Sequence, residues 1–394
     1  MMIRAVLGNP NHPEYGVATI PFPIPRDQYA HCVELLEALE IGDAVKADCK
    51  VERIDSFYTV LKRTEMLTVN VEELNYLAKR LDSFDTSEAA QFQAMAHKLE
   101  LFELKDLINL TFCCQQATVI TDFSDLAAIG RDHYMNLHGG SASVDELNAL
   151  DDKGTARQLI ESGSGTITPY GVVYDNGMKL EQVYDGRFFP CYYYKPNVIT
   201  VAVTSKAEPE DTEHITWLFL PMIQEEIDRA LLRGGITDPS EIHLSLEDSW
   251  LPHEVLDLLD MDHVEISELN ALVQALDEFS DMSIRKYAAA AVMARPHTTE
   301  QAKHLAENLD LFDFAPSAST PEEYGKYMIQ KSGRFDYDEN LDAFYDYEKY
   351  GTERMNEEDG MFTDRGYIAY KGYTSMEEVM NGSQSSHMEM GGMM

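Results

Sequence analysis

This chain repeats itself, and the repeat constrains its fold more than any other feature. Glu73-Leu-Asn-Tyr-Leu-Ala-Lys-Arg-Leu-Asp-Ser-Phe84 and Glu268-Leu-Asn-Ala-Leu-Val-Gln-Ala-Leu-Asp-Glu-Phe279 lie 195 residues apart and agree at seven of twelve positions. Unrelated segments of ordinary composition would share about one. The same offset pairs Ala94 with Ala289, Ala96 with Ala291, Gly130 with Gly325, Gly165 with Gly360 and Gly171 with Gly366. Asp55-Ser56-Phe57 resembles Asp248-Ser249-Trp250 with a slip of two residues. A register held this far sets the folding unit. The expectation is a tandem duplication, with one unit in about 1–190 and another in about 191–380.

Each unit divides into three sections, which gives an α+β fold class: two tandem copies of a small α/β section, a helical bundle and a small α+β section. The expected ranges are 1–70, 71–121 and 122–190, then 191–263, 264–319 and 320–380, with a disordered Gly-, Ser- and Met-rich tail over 381–394. In the first section Ala18–Phe22 reads as a strand, and Arg26–Leu39 as a helix entered through Pro25. Its partner has a strand near Ile215–Leu220 and a helix from Gln224 to Leu232 that Gly234-Gly235 ends. Leu74, Leu77, Leu81 and Phe84, and likewise Leu269, Leu272, Leu276 and Phe279, recur at helical spacing and read as core stripes. Tyr170–Tyr174 and Gly366–Tyr370 read as strands of the third sections.

Charge excludes several functions. Against 31 Lys and Arg stand 69 Asp and Glu, for a net charge of −38 over 394 residues. Such a chain is not expected to bind nucleic acid or an anionic membrane directly, since both need neutralising cations. With 44% apolar residues it still has the means to build cores. The five cysteines, Cys32, Cys49, Cys113, Cys114 and Cys191, are odd in number and lack CxxC spacing, so buried thiols in a reducing cytoplasm are expected. Neither a signal peptide nor a membrane span is read.

Nothing in the sequence asks for catalysis. GxxxxGK[ST], GxGxxG after a strand, HExxH and GxSxG are all absent. Gly163-Ser-Gly165-Thr166 lacks the lysine of a phosphate loop, and its counterpart is Glu358-Asp359-Gly360-Met361. Asp336-Tyr-Asp338-Glu-Asn340-Leu-Asp342 imitates a calcium loop but has Leu341 where the turn needs Gly and Tyr347 where a bidentate Glu is needed. His133 and His138, and His253 and His263, are spaced wrongly for helical ligand pairs. The expectation is no catalytic residue, no metal and no cofactor.

The acid is unevenly shared. Residues 1–195 carry 29 acids and 17 bases, net −12, whereas residues 196–394 carry 40 and 14, net −26. In the second unit the acids come in runs: Glu225, Glu226 and Asp228; Asp257, Asp260, Asp262, Glu265 and Glu268; Asp277 and Glu278, with Asp281 beyond; Asp336, Asp338, Glu339, Asp342, Asp346 and Glu348; Glu357, Glu358 and Asp359. At helical spacing Asp257, Asp260 or Asp262, Glu265 and Glu268 would form one row on a helix face, at a cost in like-charge repulsion. The plain reading is a solvated face kept soluble by charge. The functional reading is that the rows copy a phosphate backbone. Duplex DNA carries one charge per about 1.7 Å, so the net charge corresponds to about 65 Å of duplex.

The second unit resembles the ArdA family of antirestriction proteins. The resemblance runs through Phe219-Leu-Pro-Met-Ile-Gln-Glu-Glu-Ile-Asp-Arg-Ala230, Glu268-Leu-Asn-Ala-Leu272, Glu323-Tyr-Gly-Lys-Tyr327, Phe344-Tyr-Asp-Tyr-Glu-Lys-Tyr-Gly351 and Gly360-Met-Phe-Thr-Asp-Arg-Gly-Tyr-Ile368, in that order. The first unit looks like a more diverged copy, with Leu150-Asp-Asp-Lys-Gly154 in place of the Tyr-rich Tyr345–Gly351. The resemblance implies an elongated, acidic DNA mimic that is not an enzyme. It would occupy the DNA-binding groove of type I restriction–modification enzymes in the bacterial cytoplasm and protect mobile DNA. These acidic runs would be the active feature. Family members pair through their third sections. Here the fused units would form a pseudo-dimer within one chain, meeting through Tyr170, Val172, Tyr174, Tyr367, Ile368 and Tyr370, with a further homodimer left open. The rivals are an acidic inhibitor of another nucleic-acid-binding defence nuclease, a carboxylate metal hydrolase, and a non-inhibitory acidic mobile-element protein.

Overall fold

The computed structural model describes residues 3–195 and 197–382. Of the expected tail, residues 383–394 lie outside the described residues. The chain is mixed α+β, with many helices and small sheets. It divides into two compact units, one of residues 1–195, 204–217 and 223–242, the other of residues 196–203, 218–222 and 243–394. Among the described residues, no helix is long and apolar enough to cross a membrane.

The first unit opens with strands β1 (Ile3–Gly8), β2 (Val17–Phe22), helix α1 (Tyr29–Glu37), β3 (Cys49–Asp55) and β4 (Thr68–Val69). They form an antiparallel sheet in the order β2-β1-β3-β4. Period-two alternation buries Ile3, Ala5 and Leu7 of β1, and α1 lays Tyr29, Cys32 and Leu36 into the same core. Three helices follow, α2 (Val71–Asp82), α3 (Thr86–Lys98) and α4 (Leu104–Leu110). Asn70 caps α2 by accepting from the Glu73 N–H, and Asp85 with Glu88 forms a capping box on α3. The stripe Leu74, Leu77, Leu81 and Phe84 is buried together with Ala89, Ala94 and Ala96 of α3.

Then come β5 (Thr118–Ile120), α5 (Leu126–Leu137), α6 (Val144–Ala149), α7 (Asp152–Glu161), β6 (Thr166–Thr168) and β7 (Gly171–Tyr174), with sheet order β5-β7-β6. Helices α5 and α7 touch at Gly130, where a Cβ would stand 1.8 Å from the Asp152 carbonyl oxygen, so only glycine permits the approach.

Strands β8 (Ile199–Ser205) and β9 (Thr216–Leu220), then α8 (Gln224–Arg233) and β10 (Ile242–Ser249), come next; the sheet order is β10-β8-β9. Helix α8 belongs to the first unit. The second unit continues through α9 (His253–Leu256), α10 (Ile266–Leu276), α11 (Asp281–Ala294) and α12 (Thr299–Glu307). Leu269, Leu272 and Leu276 are buried with the Ala288–Ala291 run of α11. It ends with β11 (Phe312–Pro316), α13 (Pro321–Gln330), α14 (Tyr347–Glu357), β12 (Asp359–Thr363), β13 (Gly366–Tyr370) and α15 (Met376–Met380), in the sheet order β11-β13-β12.

Contacts recur between the two halves of the chain, at the 195-residue offset for every residue below except Ile24 and Met222, which are 198 apart. Ile24 N–H donates to Asn75 Oδ1, and Met222 N–H to Asn270 Oδ1, each at 2.9 Å. Thr168 and Thr363 hydroxyls donate to the Gly171 and Gly366 carbonyls, each at 2.8 Å. A Cβ on Gly325 would stand 2.0 Å from the Tyr347 carbonyl oxygen, as one on Gly130 would crowd Asp152. Gly171 and Gly366 share a left-handed φ, +128° and +141°.

Candidate functional surface

The candidate acids stand on five stretches of backbone. All are exposed except Glu226, Asp342 and Glu358, which are half-buried.

On α8 the charges are sorted by face. Glu225 and Asp228 are exposed, the latter accepting from Gln224 Nε2 at 2.7 Å. Arg229 and Arg233, four residues apart, turn into the first unit. Arg229 Nε donates to Glu72 Oε1 at 2.6 Å, and Nη2 to the Gly42 carbonyl at 2.7 Å. Arg233 is 4% exposed and donates to Arg187 O, Ala44 O, Asn70 Oδ1 and Gly186 O at 2.8–3.1 Å, and to the Tyr184 hydroxyl. Tyr184 in turn donates to Glu73 Oε1 at 2.8 Å. Burial pushes the Glu226 carboxyl above its ordinary range, Lys79 and Arg26 opposing and Glu72 adding.

Asp257, Asp260, Asp262, Glu265 and Glu268 do not share one helix face, contrary to the helical spacing. Helix α9 stops at Leu256 and α10 starts at Ile266; Asp257 is the C-cap of the first and Glu265 the N-cap of the second. The physical reason is local. Asp260 Oδ1 accepts from the Asp262 N–H at 3.2 Å and Oδ2 meets His263 Nδ1 at 2.8 Å, bonds that compete with a continuous helix. The acids therefore project from a turn and the first turn of α10. His243 Nδ1 lies 3.8 Å from Asp262.

Asp277 and Glu278 stand at the C-terminal end of α10, and Glu357 and Glu358 at that of α14. Helix dipoles disfavour anions at these ends. At α14 the cost is offset by Arg354, which lies 3.5 Å from Glu357 Oε2 and pairs with Glu358. Glu358 is also tied down: Tyr324 donates to its Oε2 at 2.5 Å, and Arg354 pairs with Oε1. Asp359 begins β12 and is exposed.

The stretch Asp336–Glu348 is ordered by its own side chains. Asp338 caps the Asn340 N–H at 2.9 Å and Asp346 the Lys349 N–H at 3.1 Å. Asp342 Oδ1 accepts from Tyr347, from Tyr337 at 2.7 Å and from Gln330 Nε2 at 2.8 Å. The Tyr347 and Tyr337 phenols hold the Asp342 carboxyl below its usual range, so it stays ionised. Asp336, Glu339 and Glu348 are exposed. Among the described residues, no group of three or more His, Cys, Asp and Glu is placed to hold a metal ion.

At the 195-residue offset, Asp257, Asp262 and Glu265 face Lys62, Leu67 and Asn70. Asp260 and Glu268 face Glu65, whose Oε1 accepts from the Ile54 N–H at 3.0 Å, and Glu73, which is engaged by Tyr184. The first unit thus has no counterpart of this exposed row.

Of the residues expected to pair the units, Tyr174 is buried with Ile120, Ile129, Ala156 and Leu159, and Val172 packs beside them. Tyr170 packs on the core of its unit and its hydroxyl lies 2.9 Å from that of Thr59. Tyr367 is buried with Ala315, Tyr324 and Met328, Ile368 is fully buried, and Tyr370 is half-buried against Phe312. Tyr170, Val172 and Tyr370 are half-buried. The Arg229–Arg233 cluster was not anticipated; two arginines four apart on a helix whose other face is acidic are the signal for it.

No curated protein matches the chain. The family model "Antirestriction protein (ArdA)" matches residues 212–369. Every candidate acid from Glu225 to Asp359 falls inside that span, which carries 34 acids against 12 bases. The chain is thus similar to the ArdA antirestriction family over its C-terminal part, residues 212–369.

Proposed function

We propose that the protein is a DNA mimic that occupies the DNA-binding groove of a type I restriction–modification enzyme and so protects mobile DNA in the cytoplasm of a bacterial host. It acts by binding and not by catalysis. The observation that carries this reading is the coincidence of the family-matching span with the exposed acid. A channel lined with Lys and Arg would exchange its counterions for these carboxylates as it does for phosphates.

The chain is further read as a tandem duplication of one three-section unit. The hydrogen bonds of Asn75 and Asn270, the Thr168 and Thr363 turns, and the Gly130 and Gly325 helix contacts support it. The sections are those of residues 1–70, 71–121, 122–190, 191–263, 264–319 and 320–380. The fused copies supply in one chain what a dimer would. Binding is concentrated in the second copy, because the first lacks the Asp257–Glu268 row.

The test replaces Asp257, Asp260, Asp262, Glu265 and Glu268 by Asn or Gln. Inhibition of a type I restriction enzyme is expected to fall while thermal stability holds or rises, since like-charge repulsion is relieved. Undiminished inhibition by a folded variant would remove this row from the mimic.

A further inference from the structure

The turn between β12 and β13 is fastened within the second unit by cations. Arg365 Nη2 lies 3.5 Å from Glu254 Oε1 and 3.5 Å from His253 Nδ1, both of α9. The Glu254 side chain is 11% exposed, and its Oε2 has no hydrogen-bond partner, with His253 Nδ1 at 3.4 Å. From α11, Arg285 Nη2 donates to Ser317 Oγ at 3.0 Å and to the Arg365 carbonyl at 3.4 Å. Glu254 is three residues from Asp257, and Arg365 follows the strand that begins at Asp359. The contact therefore joins the backbone bearing one acidic stretch to the backbone bearing another.

The first unit makes the same contact without charge. At the 195-residue offset Arg365 faces Tyr170 and Glu254 faces Thr59, and those hydroxyls are 2.9 Å apart. The Tyr170 ring packs on the core and lies edge-on to His97 at 6.3 Å. One architectural joint is thus an uncharged hydrogen bond in one unit and ionic in the other.

We propose that Arg365 and Glu254 form a positioning joint that holds the acids of residues 336–359 at fixed spacing from those of residues 257–268. Neither residue belongs to the acidic surface, and the inference rests on the DNA-mimic reading. Two acidic groups held in one geometry bind a groove as a single ligand, whereas loosely joined groups lose effective concentration. The joint is partly solvent-reached, so salt weakens it; the Tyr170–Thr59 joint has no charge for salt to screen.

Two effects have opposite signs in Arg365→Ala. The substitution makes the chain more negative, so charge alone would keep or tighten inhibition. Loss of positioning weakens it, by about tenfold in the concentration needed. The double variant Glu254→Thr with Arg365→Tyr imports the neutral pair at unchanged net charge and is expected to restore inhibition. A second readout needs no target: hydrogen exchange at residues 253–257 and 363–366 between about 0.05 and 0.5 M salt. Exchange is expected to quicken with salt in the natural protein, to be fast throughout in Arg365→Ala, and to be slow throughout in the double variant. Exchange at these residues that is unchanged by Arg365→Ala, or an Arg365→Ala protein that inhibits as well as the natural one, overturns the proposal. If exchange responds as stated but none of the proteins inhibits a type I enzyme, the joint stands and the inhibitory reading fails.

Discussion

Removing Arg233 tests how the first unit is held together. Its guanidinium satisfies the carbonyls of Ala44, Gly186 and Arg187, the Asn70 amide oxygen and the Tyr184 hydroxyl, and its Nη2 lies 3.7 Å from Glu73 Oε1. It also lies 4.3 Å from the Phe189 ring centre. Arg233→Ala leaves buried acceptors unpaired and a half-buried Glu73 carboxylate without its cation. Breaking such a pair costs about 3–5 kcal/mol. For a unit of this size that is about 10 °C in melting temperature.

The cost depends on pH. Burial already raises the Glu73 carboxyl above its ordinary value of 4.5, with Tyr184 and Arg233 opposing. Without Arg233 the folded-state value rises further. A carboxyl raised in the folded state destabilises it increasingly as pH climbs from the unfolded value through the folded one. The penalty of Arg233→Ala is therefore smallest near pH 4.5 and full above the folded value. Urea unfolding followed by hydrogen exchange at first-unit peptides, at two pH values, measures both. A loss below about 1 kcal/mol, or one independent of pH, would refute the reasoning.

Other outcomes follow from the same contacts. Gly325→Ala places a Cβ 2.0 Å from the Tyr347 carbonyl oxygen and is expected to force α13 and α14 apart, lowering the melting temperature of the second unit; an unchanged melting curve would contradict the close approach. Asp342 is depressed by Tyr347 and Tyr337, so what its ionised form contributes is present above its unfolded value of 3.8 and lost as pH falls through the folded one. Tyr337→Phe with Tyr347→Phe should therefore move its carboxyl titration up, as NMR would record. Inhibition of a type I enzyme should weaken as salt rises, the log–log slope becoming shallower when the Asp257–Glu268 row is neutralised.

The parts of the fold that are local in sequence were legible. Leu74, Leu77, Leu81 and Phe84 announce a buried stripe because a helix returns to one face every three or four residues. Gly130 and Gly325 were visible as conserved spacing within the chain, but not their reason, since the carbonyls they admit lie more than twenty residues away. The straight helical row from Asp257 to Glu268 was misread because period alone ignores what Asp260 does to the nearby backbone. Glu72 and Glu73 look like surface acids in sequence; their partners Arg229, Tyr184 and Arg233 come from more than a hundred residues on. The exposure of most candidate acids was readable because an ionised carboxylate is best solvated by water.

The central claim is that the acids of residues 212–369 take the place of DNA. It is tested most directly by titrating the protein into a type I restriction enzyme already holding a labelled duplex that contains its recognition site. The account predicts that the duplex is released in simple competition, that excess duplex reverses the effect, and that the variant neutralised from Asp257 to Glu268 releases it poorly. A ternary complex in which the enzyme keeps the duplex while bound to this protein would contradict it.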